Sequence, residues 1–157
     1  MNGLDVQRIL VPTDFSQPST EALELAIEFA RRFGAELRLF HSREMPAYVF
    51  PDAVMPASPV MFQELERTAR VELARLEDQV RAQGVVVSSE AAMGMHDQEI
   101  CRHAKDWGAD LIIMGTHGRT GLRHVLLGSV AERVVRRAPC PVLTVRPHDS
   151  EHPHPHA

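Results

Sequence analysis

Short apolar, β-branched runs alternate with longer segments of helical period along this 157-residue chain, and that alternation leaves few folds open. Strand-like runs read at Arg8 to Thr13, Glu36 to Ser42, Val85 to Ala91, Asp110 to Gly115 and Pro141 to Arg146. Between them, one helical face carries Ala22, Ala26, Ala30 and Phe33, and a second carries Leu65, Ala69, Leu73, Leu76 and Val80. Gly34 and Gly84 are expected to close these two helices at C′. A third, shorter helix sets Ile100, Ala104 and Trp107 at i, i+4 and i+7, and a fourth begins at Ser129 with Ala131, Val134, Val135 and Ala138. A βαβαβαβαβ string of this kind predicts an α/β fold, a single doubly wound five-stranded parallel sheet with helices on both faces.

Composition agrees with one soluble globular domain: 44% of residues are hydrophobic and 24% charged. A chain of this length buries roughly two-thirds of its unfolded surface. No apolar run approaches the length of a membrane span, and the start, MNGLDVQRIL, lacks the basic-then-apolar layout of a secretory signal, so a cytoplasmic location is expected. Cys101 and Cys140 form no CxxC and read as buried free thiols. A formal charge of −4 removes any general attraction to nucleic acid. Locally the balance reverses, because Arg119, Arg123, Arg133, Arg136 and Arg137 face only Glu132 in their stretch. The last three also suit the negative end of a helix dipole, whereas Arg119 and Arg123 fall in a glycine segment where a phosphate could meet them.

Two stretches stand outside the alternation. Arg43 to Pro59 is rich in proline and methionine, shows no period and reads as a long connection, either a lid or a surface excursion. Residues 148–157, HDSEHPHPHA, read as a disordered His/Pro-rich tail after a domain over residues 1–147.

The chemistry concentrates in GTHGRTGLRHVLLGS, Gly115 to Ser129, whose glycines and serine are spaced GxxGxxxxxxxxxGS directly after the most apolar strand. Open parallel sheets bind ligands there, and backbone amides approach phosphate oxygens closely only where no side chain intervenes, often at dihedrals other residues avoid. Strand one ends in Pro12, Thr13 and Asp14; if strands one and four are neighbours, Asp14 faces the glycine segment. Its carboxylate could accept from ribose hydroxyls, hold a water of a phosphate-bound magnesium ion, or simply begin the turn DFSQPS. Ser129 and Glu132 have the spacing of a capping box, a role compatible with a hydroxyl donating to phosphate. GxxxxGK[ST], GxGxxG after strand one and GxSxG are all absent.

With these residues in view, the chain resembles the nucleotide-binding branch of the universal stress protein family. The resemblance rests on ILVPTDFS at residues 9–16, LIIMGTHGRTGLRHVLLGSVAERVVRRAPCPVLTVR at residues 111–146, and the intact glycine–serine spacing. It implies a sheet ordered 3-2-1-4-5, like that of the adenine nucleotide alpha hydrolases, and binding of ATP, ADP or AMP with magnesium or manganese carried by the phosphates rather than by a protein metal site. Pro12, Thr13 and Asp14 would lie by the adenosine, the backbone of Ser42 would meet adenine, and Met114 and Gly115 would flank the ribose. Gly118, Gly128, Ser129 and Val130 would hold phosphates, with His117 and Arg119 nearby. Two departures from the family pattern are Ser42, where valine is common, and Met95–His96 after Gly94, where a proline is common. Members commonly pair their last strands, so Val142 to Val145 would form a homodimer edge.

The expected function is a nucleotide-dependent switch in stress response, acting on an unnamed protein partner. Two other readings stay open at this point. One is a slow ATP hydrolase or phosphotransferase using His117 and Asp14; the other is a dimeric interaction module indifferent to nucleotide.

Overall fold

The computed structural model describes residues 5–44, 47–50, 53–56, 58–118 and 127–147. Five strands form one parallel sheet: β1 (Arg8–Pro12), β2 (Glu36–Arg43), β5 (Val87–Met93), β6 (Leu111–Gly115) and β7 (Val142–Val145). Their order across the sheet is β5-β2-β1-β6-β7, the 3-2-1-4-5 arrangement when the five parallel strands are counted along the chain. Four helices connect them: α1 (Gln17–Phe33), α2 (Pro59–Arg81), α3 (His96–Trp107) and α4 (Ser129–Arg137).

Two separate apolar clusters show that the helices divide between the faces. Ala22, Ala26 and Ile27 of α1 and Leu73, Leu76 and Val80 of α2 pack with Ile9, Val11, Leu37, Leu39 and Ile113 on one face. Ile100 and Ala104 of α3 and Ala131 and Val134 of α4 pack with Leu10, Phe40 and Ile112 on the other. Side chains alternate along each strand, so successive residues feed opposite clusters. Since α1 follows β1 on one face and α4 follows β6 on the other, the neighbouring pair β1 and β6 is the switch point of the sheet.

Several sequence expectations shift. The third parallel strand runs over Val87–Met93 rather than 85–91, because β2 continues to Arg43 and its ladder carries β5 with it to the Arg43↔Met93 pair. In the connection expected to lack structure, β3 (Ala47–Phe50) and β4 (Ala53–Pro56) pair as an antiparallel hairpin. The prolines that break any longer period there hid two four-residue strands separated in sequence by Pro51-Asp52, a turn-favouring pair. Gly34 does close α1 in the left-handed region, φ 70°, with its N–H donating to the Ala30 carbonyl. Gly84 does not close α2: the helix ends at Arg81, the cap is Ala82, and the chain makes two further tight turns before Gly84. Phe33 is 45% exposed and Leu65 39% exposed, so neither belongs to the core that their spacing suggested. Cys101 and Cys140 are free thiols but only half-buried, and burial pushes both pKa values up. Residues 148–157, Arg119 and Arg123 lie outside the described residues.

Candidate functional site

A cavity of about 950 Å³ opens over the carboxyl ends of β1, β2 and β6, at the switch point. Its floor is built by the turn after β1. The Thr13 N–H donates to the Phe40 carbonyl at 2.8 Å, which extends the β1–β2 ladder one residue past the strand. Thr13 Oγ1 then accepts the Phe15 N–H at 3.0 Å and lies 3.1 Å from Ser19 Oγ, so this hydroxyl organises the turn. Phe15 itself adopts φ 64°, a left-handed conformation unusual for a side chain of this size. Its ring is held 4.6 Å from the ring of His41, and His41 Nδ1 sits 2.8 Å from the Thr13 carbonyl. A carbonyl can only accept, which puts the proton on His41 Nδ1.

Asp14 serves both of its readings. One oxygen, Oδ1, accepts from the Ser16 N–H at 3.0 Å and from the Ser16 hydroxyl, so it does begin the turn into α1. The other, Oδ2, faces the glycine segment: a Cβ built on Gly118 would lie 2.7 Å from it. Gly115 and Gly128 are equally confined. A Cβ on Gly115 would meet the Pro18 carbonyl oxygen at 2.9 Å, and one on Gly128 the Thr116 carbonyl oxygen at 2.8 Å. None of the three has positive φ, in contrast to Gly34, Gly84, Gly94 and Gly108. The expectation of special dihedrals is therefore corrected for them: these positions require glycine for space, because backbones and a carboxylate approach where a side chain would stand.

The start of α4 departs from the capping-box expectation. Gly128, not Ser129, is the N-cap: its carbonyl accepts the Glu132 N–H at 2.9 Å, and no side chain caps the helix. Ser129 is thus the first helical residue, and its hydroxyl is not spent on the cap. The Gly128 N–H is spent, donating at 2.7 Å to the Thr116 carbonyl. Among the described residues, the Ser129 hydroxyl and the first-turn amides of α4 are the donors this helix start offers to an anion.

Thr116, 2% exposed, ties the rim to the sheet: its N–H donates to the Val145 carbonyl at 2.9 Å and its Oγ1 lies 3.0 Å from His117 Nδ1. At the opposite wall, Ser42 Oγ lies 2.8 Å from His96 Nδ1. Of the residues expected at the site, Pro12, Thr13, Asp14, Ser42, Met114, Gly115, His117, Gly118, Gly128, Ser129 and Val130 all line the cavity. Arg119 lies outside the described residues. The arginines of α4 are occupied elsewhere. Arg133 and Arg137 approach the carboxylate of Asp97 at 3.1 and 3.2 Å, and Arg136 pairs with Glu132 at 2.9 Å. Among the described residues, no group of three His, Cys, Asp or Glu side chains gathers to hold a metal.

Sequence reasoning missed His41 and the engagement of Thr116 and His96. The ending HSR, three consecutive polar residues after the alternating ELRLF, was a usable signal for His41. Nothing local marks His96, whose partner stands 54 residues away.

The model of the universal stress protein family matches residues 5–146. Universal stress protein MJ0531 of Methanocaldococcus jannaschii is 36% identical over 143 residues, covering 89% of this chain and 82% of that protein. Among solved structures, protein MJ0577, also of M. jannaschii, superposes with a TM-score of 0.79 at 28% identity, covering 93% of this chain and 99% of the other. A universal stress protein in complex with cAMP superposes with a TM-score of 0.67 at 24% identity, covering 90% of this chain and 98% of that one.

Proposed function

The chain belongs to the universal stress protein family, and from that premise we propose that it binds an adenine nucleotide, ATP in the first instance, in the cavity over β1, β2 and β6. The observation that carries the reading is the cavity of about 950 Å³ at the switch point, which Asp14, Gly115, Gly118, Gly128 and Ser129 line together. The Asp14 carboxylate, oriented by the Ser16 N–H at Oδ1 and lining the cavity, suits ribose hydroxyls. The start of α4, with free first-turn amides and an uncommitted Ser129 hydroxyl, suits phosphate. A solved relative in complex with cAMP supports the same class of ligand.

Magnitudes favour convergence of several groups. Helix-terminus help is only about 0.3 to 1 kcal/mol and a charge-assisted hydrogen bond nets roughly 1.5 to 3, against about 8 kcal/mol for micromolar affinity. Amides of α4, the Ser129 hydroxyl and Asp14 must act together, and Arg119 is the cation we assign to join them. Magnesium or manganese would ride on the phosphates, with Asp14 able to take one of its waters.

We read the nucleotide as the control element of a switch: its state would change the loop between Gly115 and Ser129 and so alter a partner surface in the cytoplasm. Among the described residues β7, Val142–Val145, pairs with β6 alone, and its other edge would carry a homodimer. Isothermal titration with ATP tests the core of this proposal. Binding with a thermal upshift is expected; no heat and no shift at millimolar nucleotide would refute it. His117 lines the cavity with Thr116 Oγ1 at its Nδ1, so turnover is separately testable. Steady-state phosphate release above about 1 s⁻¹ that vanishes in His117→Ala would replace the switch with an enzyme.

A further inference from the structure

The two walls of the cavity differ in chemistry as well as position. The glycine rim and the start of α4 follow β6, whereas Ser42 is the next-to-last residue of β2 and His96 begins α3. In the order β5-β2-β1-β6, β2 lies two ladder spacings from β6, about 10 Å away. A nucleotide whose phosphates sit at α4 and whose ribose sits at Asp14 therefore directs its base toward Ser42 and His96, both of which line the cavity.

At that wall His96 Nδ1 is 2.8 Å from Ser42 Oγ, while His96 Nε2 has no hydrogen-bond partner among the described residues. A neutral imidazole has one donor nitrogen and one acceptor, and a serine hydroxyl rotates to serve either. When the serine hydroxyl donates to Nδ1, the proton sits on Nε2, which becomes a donor. When Nδ1–H donates to the serine oxygen, Nε2 offers a lone pair. Adenine presents an amino donor at its six-position and guanine a carbonyl acceptor.

We propose that Ser42 and His96 form a reversible reading pair for the six-position of a purine, so that this cavity accepts 6-oxo as well as 6-amino purine nucleotides. A site of fixed polarity leaves a buried group unpaired with the wrong base and rejects it by several orders of magnitude. A pair that inverts by moving one proton has no such penalty. This inference rests on the nucleotide reading above and adds the base specificity of the same site.

The test uses the full chain, with ATP, GTP and tripolyphosphate titrated into the unsubstituted protein and into His96→Phe and Ser42→Ala. ATP and GTP are expected to bind within about tenfold of each other. His96→Phe should weaken both by about three- to tenfold, the worth of one net hydrogen bond, and Ser42→Ala should weaken both by less. Tripolyphosphate has no base to present and gauges the phosphate end in each variant. GTP binding more than a hundredfold weaker than ATP overturns the pair while leaving the nucleotide reading intact. So does a His96→Phe loss that tripolyphosphate shares in full, which would mark a merely structural role. If neither ATP nor tripolyphosphate binds the unsubstituted protein, the nucleotide reading fails first and the pair falls with it.

Discussion

The two faces of the sheet are built on different terms. Under α1 and α2 the buried contacts are almost wholly apolar, from Leu23 and Ile27 to Leu73, Leu76 and Val80. Under α3 and α4 the apolar cluster is edged by ionised and titratable groups. Asp97, 1% exposed, receives Arg133 and Arg137; His103 stacks on Phe40 at 4.5 Å and lies 3.2 Å from Glu90; Arg38 covers Trp107 at 4.4 Å. Ion pairs with a buried member contribute little net stability, because removing charge from water costs about what the pairing returns. What they supply is direction: a carboxylate at the start of α3 gripping two successive turns of α4 fixes one helix against the other. Those are the helices whose first residues, His96 and Ser129, reach the cavity. The apolar face supplies stability and the Asp14 turn, and the charged face sets the wall of the site that α3 and α4 begin.

That contrast can be broken by experiment. The largest effect is expected on the apolar face, where Leu73→Ala should cost about 2–5 kcal/mol in urea unfolding while leaving ATP affinity within about twofold. Asp97→Asn should cost less, about 1–3 kcal/mol, since both arginines keep access to water. It should nonetheless weaken ATP binding by loosening α4. Equal affinity in this variant would show that the ion pairs do not position the site. Gly118→Val tests the junction between the faces, with at least a tenfold loss of ATP affinity and a melting temperature within a few degrees. A chain that serves only as a nucleotide-indifferent interaction module would show no change in either.

The smallest effect is a pH dependence carried by the charged face. Burial lowers the pKa of His103, with Glu90 opposing and Arg38 and Arg102 assisting. An unfolded histidine titrates near 6.5, so below that value the unfolded chain holds the extra proton and the folded one resists it. Stability should therefore fall as pH drops from about 7 toward the lowered folded value, and His103→Gln should flatten that slope in urea midpoints. An unchanged slope would remove His103 from the account.

Much of this architecture was legible from periodicity, because burial on both faces demands continuous apolar strands and burial on one side demands a helical stripe. Ala22, Ala26 and Ala30, and Ala69 through Val80, fell where their spacing put them. Phe33 and Leu65 did not, since a stripe extends beyond the sheet it covers and its end residues meet solvent or a cavity. The hairpin at β3 and β4 escaped because four-residue strands are too short to show a period of two among prolines.

The sequence by itself determined the alternation of strands and helices and the position of the glycine segment after an apolar strand; it placed Asp14 opposite that segment only on the condition that strands one and four are neighbours. Only the tertiary structure decided why those glycines are glycines, since the atoms that exclude a Cβ belong to Asp14, Thr116 and Pro18 and arrive through the β1–β6 neighbourhood. It also decided which arginines of α4 serve Asp97, and that His96 meets Ser42. Local propensity acts over one or two turns of chain, whereas contacts between residues 40 or more positions apart exist only once the sheet order brings their elements together.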